Sequence, residues 1–381
     1  MTSAKIDLSV CLLVTTIIFF FHPFPLIAEP PPLNERAVQS CRAVKLINAR
    51  TESPVVGAED MVFDRSTGLI YLSAYDRWAV TDALEQGKTS LPQGALYSVP
   101  VERLHNGSPN VSLQPLYSGK HSDFHPHGLA RYSSKTSTRL YTLNRIYSRI
   151  DGSWVRQTQI EGFVRSESSL EHVSTIKHPK LCQANNLVAI GEREFLVTKD
   201  HGTCDFWGKW MENILGLQRS KLLHVSVKSD SEIRLTTLVD DIGFANGIAI
   251  DSGTSTVAVA GTRDEEVRFY RLESLLHDEH PRPFSKVQVN GGPDNLSWHP
   301  SGWLIAAVHP SVFWMGMARN RWLGQTRAGT NVLGIHPRSG EIRALFHDET
   351  GKQFNAGTTA IKTGSLLIVS SVLDRALLVC E

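Results

Sequence analysis

The sequence carries almost no net charge: 39 basic side chains stand against 38 acidic ones. No basic patch or charge block stands out, which argues against nucleic acid as a partner. There is no Ser/Gly tract, no low-complexity run and no other linker that would divide the chain. Beyond the N-terminus no apolar stretch is long enough to span a bilayer, which needs about 20 residues. The HExxH, GxSxG and P-loop patterns are absent too, leaving no sequence signature of a zincin, a serine hydrolase elbow or a nucleotide-triphosphate cradle.

What is present begins with a leader. Lys5 is a small basic region, residues 8–21 are mostly apolar, and Pro23 and Pro25 break the run. This pattern suits a secretory signal over residues 1–28 with Ala28 as a cleavage position. Left uncut, the same segment would act as an anchor and associate the protein with a membrane. Either way the body faces an oxidising compartment. Residues 29–381 are expected to form one domain. Of five cysteines, Cys41 and Cys380 sit near the two ends, and a bridge between them is the natural pairing there. Closing so long a loop is worth roughly 4–5 kcal/mol in chain-entropy models. Cys182 and Cys204 are left as either a pair or free buried thiols. Asn106 and Asn110 head credible glycosylation sequons in a Gly/Pro/Asn-rich loop; a third, at Asn295, falls on a candidate metal ligand and is expected to stay bare.

Short β-type runs recur along the chain, punctuated by turns such as Asp251-Ser-Gly253 and Pro337-Arg-Ser-Gly340. The unit of strand, Gly-containing turn and strand returns near residues 58–73, 245–260, 294–308 and 332–346. That spacing predicts repeats of roughly 45–55 residues, hence an all-β, six-bladed propeller. Its ring would be closed by pairing the two ends in one blade. A β-sandwich or two β domains would be the alternative. One segment breaks the pattern: Phe206-Trp-Gly-Lys-Trp-Met-Glu-Asn-Ile-Leu-Gly216 reads as an aromatic, amphipathic insertion, either a short helix or a loop over one face.

Polar pairs interrupt the apolar runs at Glu59-Asp60, Asn185-Asn186, Asn246-Gly247 and Asp294-Asn295. Buried carboxylates and amides are costly unless paired. Taken singly, each residue is an ordinary turn Asn or Asp. Taken together on a toroidal fold they converge, and their oxygens are those calcium prefers, at about six to eight per ion. Glu59, Asn185, Asn246, Asp294 and Asn295 are therefore candidate ligands. Asp60, which points away from Glu59 in an extended strand, is a candidate for a second, deeper ion. Zinc is the runner-up metal, although no tight histidine cluster supports it. His127, His201 and His309 lie at strand ends, where a histidine beside a cation can act as a general base.

The matches Gly57-Ala-Glu-Asp60, Pro126-His-Gly-Leu129, Asn185-Asn-Leu-Val-Ala-Ile-Gly191, Lys199-Asp-His201, Gly243-Phe-Ala-Asn-Gly-Ile248, Pro293-Asp-Asn-Leu296, His309-Pro310 and terminal Cys380 resemble, in order and spacing, the paraoxonase/arylesterase family of calcium-dependent lactonases. The resemblance covers most of the mature chain. It implies a six-bladed propeller with two calcium ions in its tunnel. Glu59, Asn185, Asn246, Asp294 and Asn295 match the catalytic ion's ligands. Asp60, the Leu129 carbonyl and Asn186 match those of the structural ion. His127 matches the proposed general base, and Asp200, His201 and His309 match residues around it. Cys41 and Cys380 match the ring-closing disulfide.

Two departures stand out. Arg145 replaces a second histidine, so a His–His relay is unavailable. Asn186 replaces an aspartate, which predicts a weaker structural ion. The expected chemistry is hydrolysis of a small hydrophobic lactone or ester, with calcium polarising the carbonyl. His127 or a carboxylate, Glu59 or Asp294, would handle the proton. Phe206, Trp207 and Trp210, with Asp200, His201 and His309, would line the substrate's path. The competing expectations are a sugar-lactonase or strictosidine-synthase-like enzyme on the same fold, and a secreted, calcium-stabilised propeller without turnover.

Overall fold

Apolar runs bounded by Gly, Pro and Asn turns fold here as antiparallel strands, because the backbone polar groups of each run are satisfied only by a neighbour. The computed structural model describes residues 40–381 except 106, 120–122, 135–136, 151, 167–168 and 230–231. The leader and Asn106 lie outside the described residues.

The chain enters through β1 (Cys41–Asn48). A first quartet follows: β2 (Ala58–Asp64), β3 (Leu69–Ala74), β4 (Ala95–Pro100) and β5 (Asn110–Tyr117). Helix α1 (Arg77–Glu85) joins β3 to β4, and α2 (Glu102–His105) joins β4 to β5. The second quartet is β6 (Pro126–Ser133), β7 (Thr138–Ile150), β8 (Ser153–Arg165) and β9 (Leu170–Ile176). The third is β10 (Ala184–Gly191), β11 (Glu194–Lys199), β12 (Ser220–Ser229) and β13 (Glu232–Ile242), with α3 (Phe206–Leu215) after β11. Next come β14 (Ala245–Asp251), β15 (Thr256–Gly261), β16 (Glu266–Arg271) and β17 (Ser285–Gln288), with α4 (Leu272–His277) after β16. The fifth is β18 (Gly292–Trp298), β19 (Leu304–His309), β20 (Thr330–Ile335) and β21 (Ile342–Asp348), with α5 (Val312–Asn320) after β19. Strands β22 (Gly357–Thr363), β23 (Leu366–Ser371) and β24 (Ala376–Cys380) end the chain.

Among the described residues these strands make four separate four-stranded sheets and one of eight strands. The eight-stranded sheet arises where the chain ends meet. β1 pairs antiparallel with β24, Cys41 opposite Cys380, and its far half pairs parallel with β5, Lys45 opposite Asn110. A disulfide joins Cys41 to Cys380 at a Cα separation of 4.0 Å. The arrangement is all-β and propeller-like. Its inner strands β2, β6, β10, β14, β18 and β22 neighbour one another in a closed cycle.

The core lies between adjacent sheets rather than at the centre. Val44, Leu46, Met61, Ile70 and Leu72 pack with Ile361, Ile368, Leu377 and Val379, so one cluster spans the joint between the two ends. Leaving the axis free of apolar packing reserves it for the polar pairs. Glycine keeps the inner strands close around it: a Cβ at Gly247 would stand 2.3 Å from the Asp294 carbonyl oxygen, and one at Gly128 would stand 2.7 Å from Asn186 Cα.

Cys182 and Cys204 also form a disulfide, which settles the open alternative against free thiols. Cys204 immediately precedes Asp205, the N-cap of α3, whose carboxylate accepts from Gly208 N at 2.7 Å. The aromatic insertion is thus a helix, capped at its other end by Gly216 in the left-handed conformation.

Candidate active site

All six inner strands break register near their first residues: between Ala58 and Asp60, Pro126 and Leu129, Ala184 and Leu187, Ala245 and Ile248, Pro293 and Leu296, and Gly357 and Thr359. A regular strand would alternate consecutive side chains between faces. A bulge re-aims them, so both members of each polar pair are buried at the axis, Glu59 with Asp60, Asn185 with Asn186, and Asp294 with Asn295.

Topology supplies the surroundings. Each second strand runs antiparallel to its inner strand and ends where that strand begins, Ala74 opposite Ala58 and His309 opposite Gly292. The connections leaving the second strands therefore gather at the mouth above Glu59. They include α1, α3, α5 and the long β7–β8 hairpin, which overshoots the start of β6 from Arg145 to Ile150. Asp76 caps α1 by accepting from Ala79 N, and Ser311 caps α5 by accepting from Trp314 N.

The polar pairs form two sets. In the set nearer the mouth, each side chain is anchored by one polar atom. Asn246 donates from Nδ2 to Thr262 Oγ1 at 3.1 Å, and Asn185 donates from Nδ2 to Asp200 Oδ2 at 3.4 Å. Asp294 Oδ2 lies 2.9 Å from His309 Nε2. Their remaining oxygens, Asn185 Oδ1, Asn246 Oδ1 and Asp294 Oδ1, are buried without a hydrogen-bond partner. An unsatisfied buried acceptor costs about 1–3 kcal/mol. Three such oxygens on neighbouring strands, beside a carboxylate, are the donor set of a hard cation. No cluster of three or more His, Cys, Asp or Glu occurs among the described residues; the set is rich in amides instead.

Glu59 is the fourth member. Its Oε2 accepts from Arg77 Nη2 at 2.5 Å, and its Oε1 lies 3.5 Å from His127 Nδ1. Burial raises the Glu59 pKa, Arg77 opposes the rise and Asp294 adds to it. Arg77 was not among the residues singled out by sequence. A charged residue directly after an apolar strand, in Leu69-Ile-Tyr-Leu-Ser-Ala-Tyr-Asp-Arg77, was the available signal.

The deeper set is arranged differently. Asp60 Oδ1 accepts from Met61 N at 2.8 Å and from Thr359 Oγ1 at 3.0 Å. Its Oδ2 accepts from Leu129 N at 2.8 Å and from Asn186 Nδ2 at 3.2 Å. Asn186 Oδ1 accepts from Leu187 N at 2.6 Å. Asn295 joins this set, its Oδ1 accepting from Asn186 Nδ2 at 2.7 Å and its Nδ2 reaching the Glu59 carbonyl at 3.4 Å. No side-chain oxygen here is bare, so the residues as placed do not fit an ion. Burial pushes the Asp60 pKa up to about 7 even though the backbone N–H groups of Leu129 and Met61 pull against it. A cavity of about 210 Å³ opens on this end, lined by Asp60, Arg65, Arg131, Asn186 and Trp298 among others.

His127 is buried, and its pKa is held well below the ordinary value by burial and then by Arg145, Arg77, Arg156 and Arg319. Arg77 Nη2 lies 2.7 Å from His127 Nδ1. Arginine can only donate, so Nδ1 accepts and the neutral ring carries its hydrogen on Nε2, which has no partner. Arg145 donates from Nη1 to Tyr75 Oη at 3.2 Å. His201 links Asp200 Oδ1, 2.7 Å from its Nδ1, to Asn213 Oδ1 of α3, 3.0 Å from its Nε2. Phe206, Trp207 and Trp210 stand out from α3 with 66%, 69% and 45% of their surface exposed. Asn295 is only 2% exposed, which fits a bare sequon, whereas Asn110 is exposed at the start of β5.

The chain is 26% identical over 264 residues to serum paraoxonase/arylesterase 2 of Gallus gallus, covering 68% of this chain and 69% of that one. It is 27% identical over 259 residues to serum paraoxonase/arylesterase 1 of Rattus norvegicus, covering 67% and 68%. Serum paraoxonase/lactonase 3 of Oryctolagus cuniculus is 28% identical over 260 residues, covering 67% and 68%. The solved structure of a luciferin-regenerating enzyme shares the fold at a TM-score of 0.50, with 12% identity over 90% of this chain and 95% of that one. The Arylesterase family model matches residues 104–381, most of the chain, and the protein therefore belongs to the arylesterase family, a family of ester-hydrolysing enzymes.

Proposed function

We propose that this chain is a secreted, calcium-dependent lactonase/arylesterase that uses a single ion at the mouth of its central tunnel. The observation that carries this is the trio of bare oxygens, Asn185 Oδ1, Asn246 Oδ1 and Asp294 Oδ1, beside Glu59. These four side chains would hold the ion. A calcium ion bound there supplies Lewis-acid polarisation of an ester carbonyl and charge stabilisation as the carbonyl oxygen becomes anionic.

The chain's own residues prepare the site. His309 holds Asp294 by its Oδ2, and Asp200 holds the Asn185 amide, so the free oxygens are pre-aimed. Arg77 holds His127 in the tautomer with hydrogen on Nε2, where the ring is a donor and not a base. When Arg77 withdraws from Nδ1, that atom takes the hydrogen and turns it toward Glu59 Oε1, 3.5 Å away, and Nε2 is freed to accept a proton from water. Arg145 contributes charge and no proton transfer.

The same reading takes the eight-stranded sheet as two blades welded by the parallel β1–β5 pairing, giving six blades around the ring of inner strands. Two disulfides suit an oxidising compartment. Among the described residues no helix is long and apolar enough to cross a membrane. One observation favours the non-catalytic alternative: Arg77 occupies the Glu59 carboxylate that the ion requires.

The deciding experiment is hydrolysis of a panel of lactones and phenyl esters by secreted protein, with calcium, with chelator, and with calcium restored. Turnover that disappears and returns upholds the reading. Calcium binding without turnover on any substrate, or turnover indifferent to chelation, overturns it.

A further inference from the structure

Guanidinium groups removed wholly or partly from water need partners, and at the mouth of this site Arg145, buried, and Arg156 and Arg319, half-buried, have no carboxylate against them. Arg77 of α1, Arg145 of β7, Arg156 of β8 and Arg319 of α5 all act on the imidazole of His127. Arg145 and Arg77 are 3% and 7% exposed. On the β7–β8 hairpin Arg145 lies opposite Thr158 and Tyr147 lies opposite Arg156. Alternate residues share a face, so both hairpin arginines present to the same side as Tyr147. Arg77 stacks 5.1 Å from the Tyr75 ring, and Arg145 donates to the Tyr75 hydroxyl. Three connections of the propeller thus deliver four cations to one place.

Of the four only Arg77 has a paired carboxylate, Glu59; Asp294 is bound to His309, and Asp200, bound to His201, favours the charges of Arg145 and Arg156 without contacting either. Among the described residues Arg145, Arg156 and Arg319 have no carboxylate within ion-pair distance. Arg156 reaches only the amide oxygen of Gln183. Burial disfavours the charges of Arg156 and Arg319, whereas Tyr75, Tyr147 and Asp200 support that of Arg145; a bound anion would relieve the first two, and guanidinium is the side chain best shaped to take a carboxylate or phosphate.

We infer that this mouth is an anion-recognition site built from Arg145, Arg156 and Arg319, and that the ester or lactone cleaved there carries a carboxylate or phosphate group. The substrate class rests on the hydrolase reading; the anion site does not. A bound calcium would add to the positive field. Tyr75 registers that field: burial raises its pKa, yet Arg77, Arg145 and Arg319 outweigh burial and bring it down to about 7. The inference revises the expected substrate from a merely hydrophobic lactone to one with an acidic end.

Two measurements on the calcium-loaded, full-length secreted protein test it. The first is calorimetric binding of octanoate, octyl phosphate and octanol to the wild type and to Arg156→Gln, Arg319→Gln and the double variant. At least one anion should bind ten times more tightly than the alcohol or better, and each single variant should weaken it about tenfold. The preferred anion distinguishes a carboxylate from a phosphate substrate. Equal binding of octanol, or anion binding that chelation removes but the arginine variants leave intact, overturns the inference. The second is kcat/KM for a lactone bearing a free carboxyl and for its methyl ester. A preference for the acid that falls about tenfold in the variants, through KM more than kcat, upholds the substrate class; a preference for the methyl ester overturns it. If no substrate of any kind is turned over, the hydrolase reading fails, while the calorimetry still decides the anion site.

Discussion

The two polar sets on the tunnel axis draw consecutive residues from three shared strands, β2, β10 and β18, yet one is open and the other closed. Asn185 and Asn186 are consecutive, as are Glu59 and Asp60. In the outer member of each pair an amide or carboxylate oxygen is left bare or is held by Arg77. In the inner member every carboxylate oxygen is taken by protein donors. On the proposed reading, ligand identity alone would not make an ion site. What decides it is whether neighbouring donors have already met the oxygens. Asn186 is the pivot: its Nδ2 gives hydrogens to Asp60 and to Asn295, where an aspartate would add a repelling charge. Such a charge would be tolerable only with a cation between them.

The comparison breaks most severely if the open set is not an ion site. Asp294→Ala removes a bare oxygen, the only carboxylate besides Glu59 in that set, and the partner of His309. Lactone kcat/KM is expected to fall about 10²–10³-fold, the scale of losing a preorganised electrostatic contact, with loss of calcium binding measured by equilibrium titration. Full activity in Asp294→Ala would refute the placement of the ion.

Next in size is Arg77→Met. In the ion-free protein it strips Glu59 of its cation inside a buried site, at a cost of about 3–5 kcal/mol. With calcium present the ion supplies the missing charge, and Arg77 no longer competes for the carboxylate. Thermal unfolding with and without calcium should therefore show a wider gap in the variant than in the wild type, and by linkage calcium affinity should rise by the same free energy, about 10²-fold or more. An unchanged gap would mean that Arg77 and the ion do not contend for Glu59.

Much of this was legible from residue types and spacing, and what was not has a physical reason. The strand units and the ring closure through Cys41 and Cys380 follow from alternating apolar runs and from two cysteines at the ends. The open set could be read because Asn and Asp inside apolar strands demand a partner. That Glu59 and Asp60 both reach the axis was not readable, since period-two alternation sends neighbours to opposite faces and only the bulges at all six strand starts undo this. The eight-stranded sheet depends on Lys45 meeting Asn110, a pairing without local signal. Arg77, Arg156 and Arg319 escaped notice because an arginine after a strand or on a helix reads as solvated surface. Only the topology, which sends every second-to-third connection to the same mouth, brings them together.

A gentler test sharpens the comparison by converting the closed set into an open one. Asn186→Asp replaces a donor with a second carboxylate beside Asp60. Calcium stoichiometry by calorimetry should rise from one ion to two, with the new site weaker because the Asp60 oxygens keep their backbone donors. A stoichiometry of two already in the wild type would contradict the closed reading of the inner set.

The smallest expected effect isolates what holds the inner set shut. Thr359 donates one hydroxyl hydrogen, shared between Asp60 Oδ1 at 3.0 Å and the Glu59 carbonyl at 3.0 Å. Both acceptors keep another donor, Met61 N for the carboxylate and Thr358 Oγ1 for the carbonyl. Thr359→Val preserves the shape of the side chain and removes only the hydroxyl. Since neither acceptor is left wholly unsatisfied, the loss should be close to a single net hydrogen bond, about 1 kcal/mol, seen as a small drop in denaturant midpoint with an unchanged slope. Calcium affinity should not move, because the bare oxygens of Asn185, Asn246 and Asp294 are untouched. If instead Thr359→Val lowered calcium affinity as Asp294→Ala is expected to, the two sets would be one coupled site, and the division between an open and a closed half of the axis would have to be abandoned.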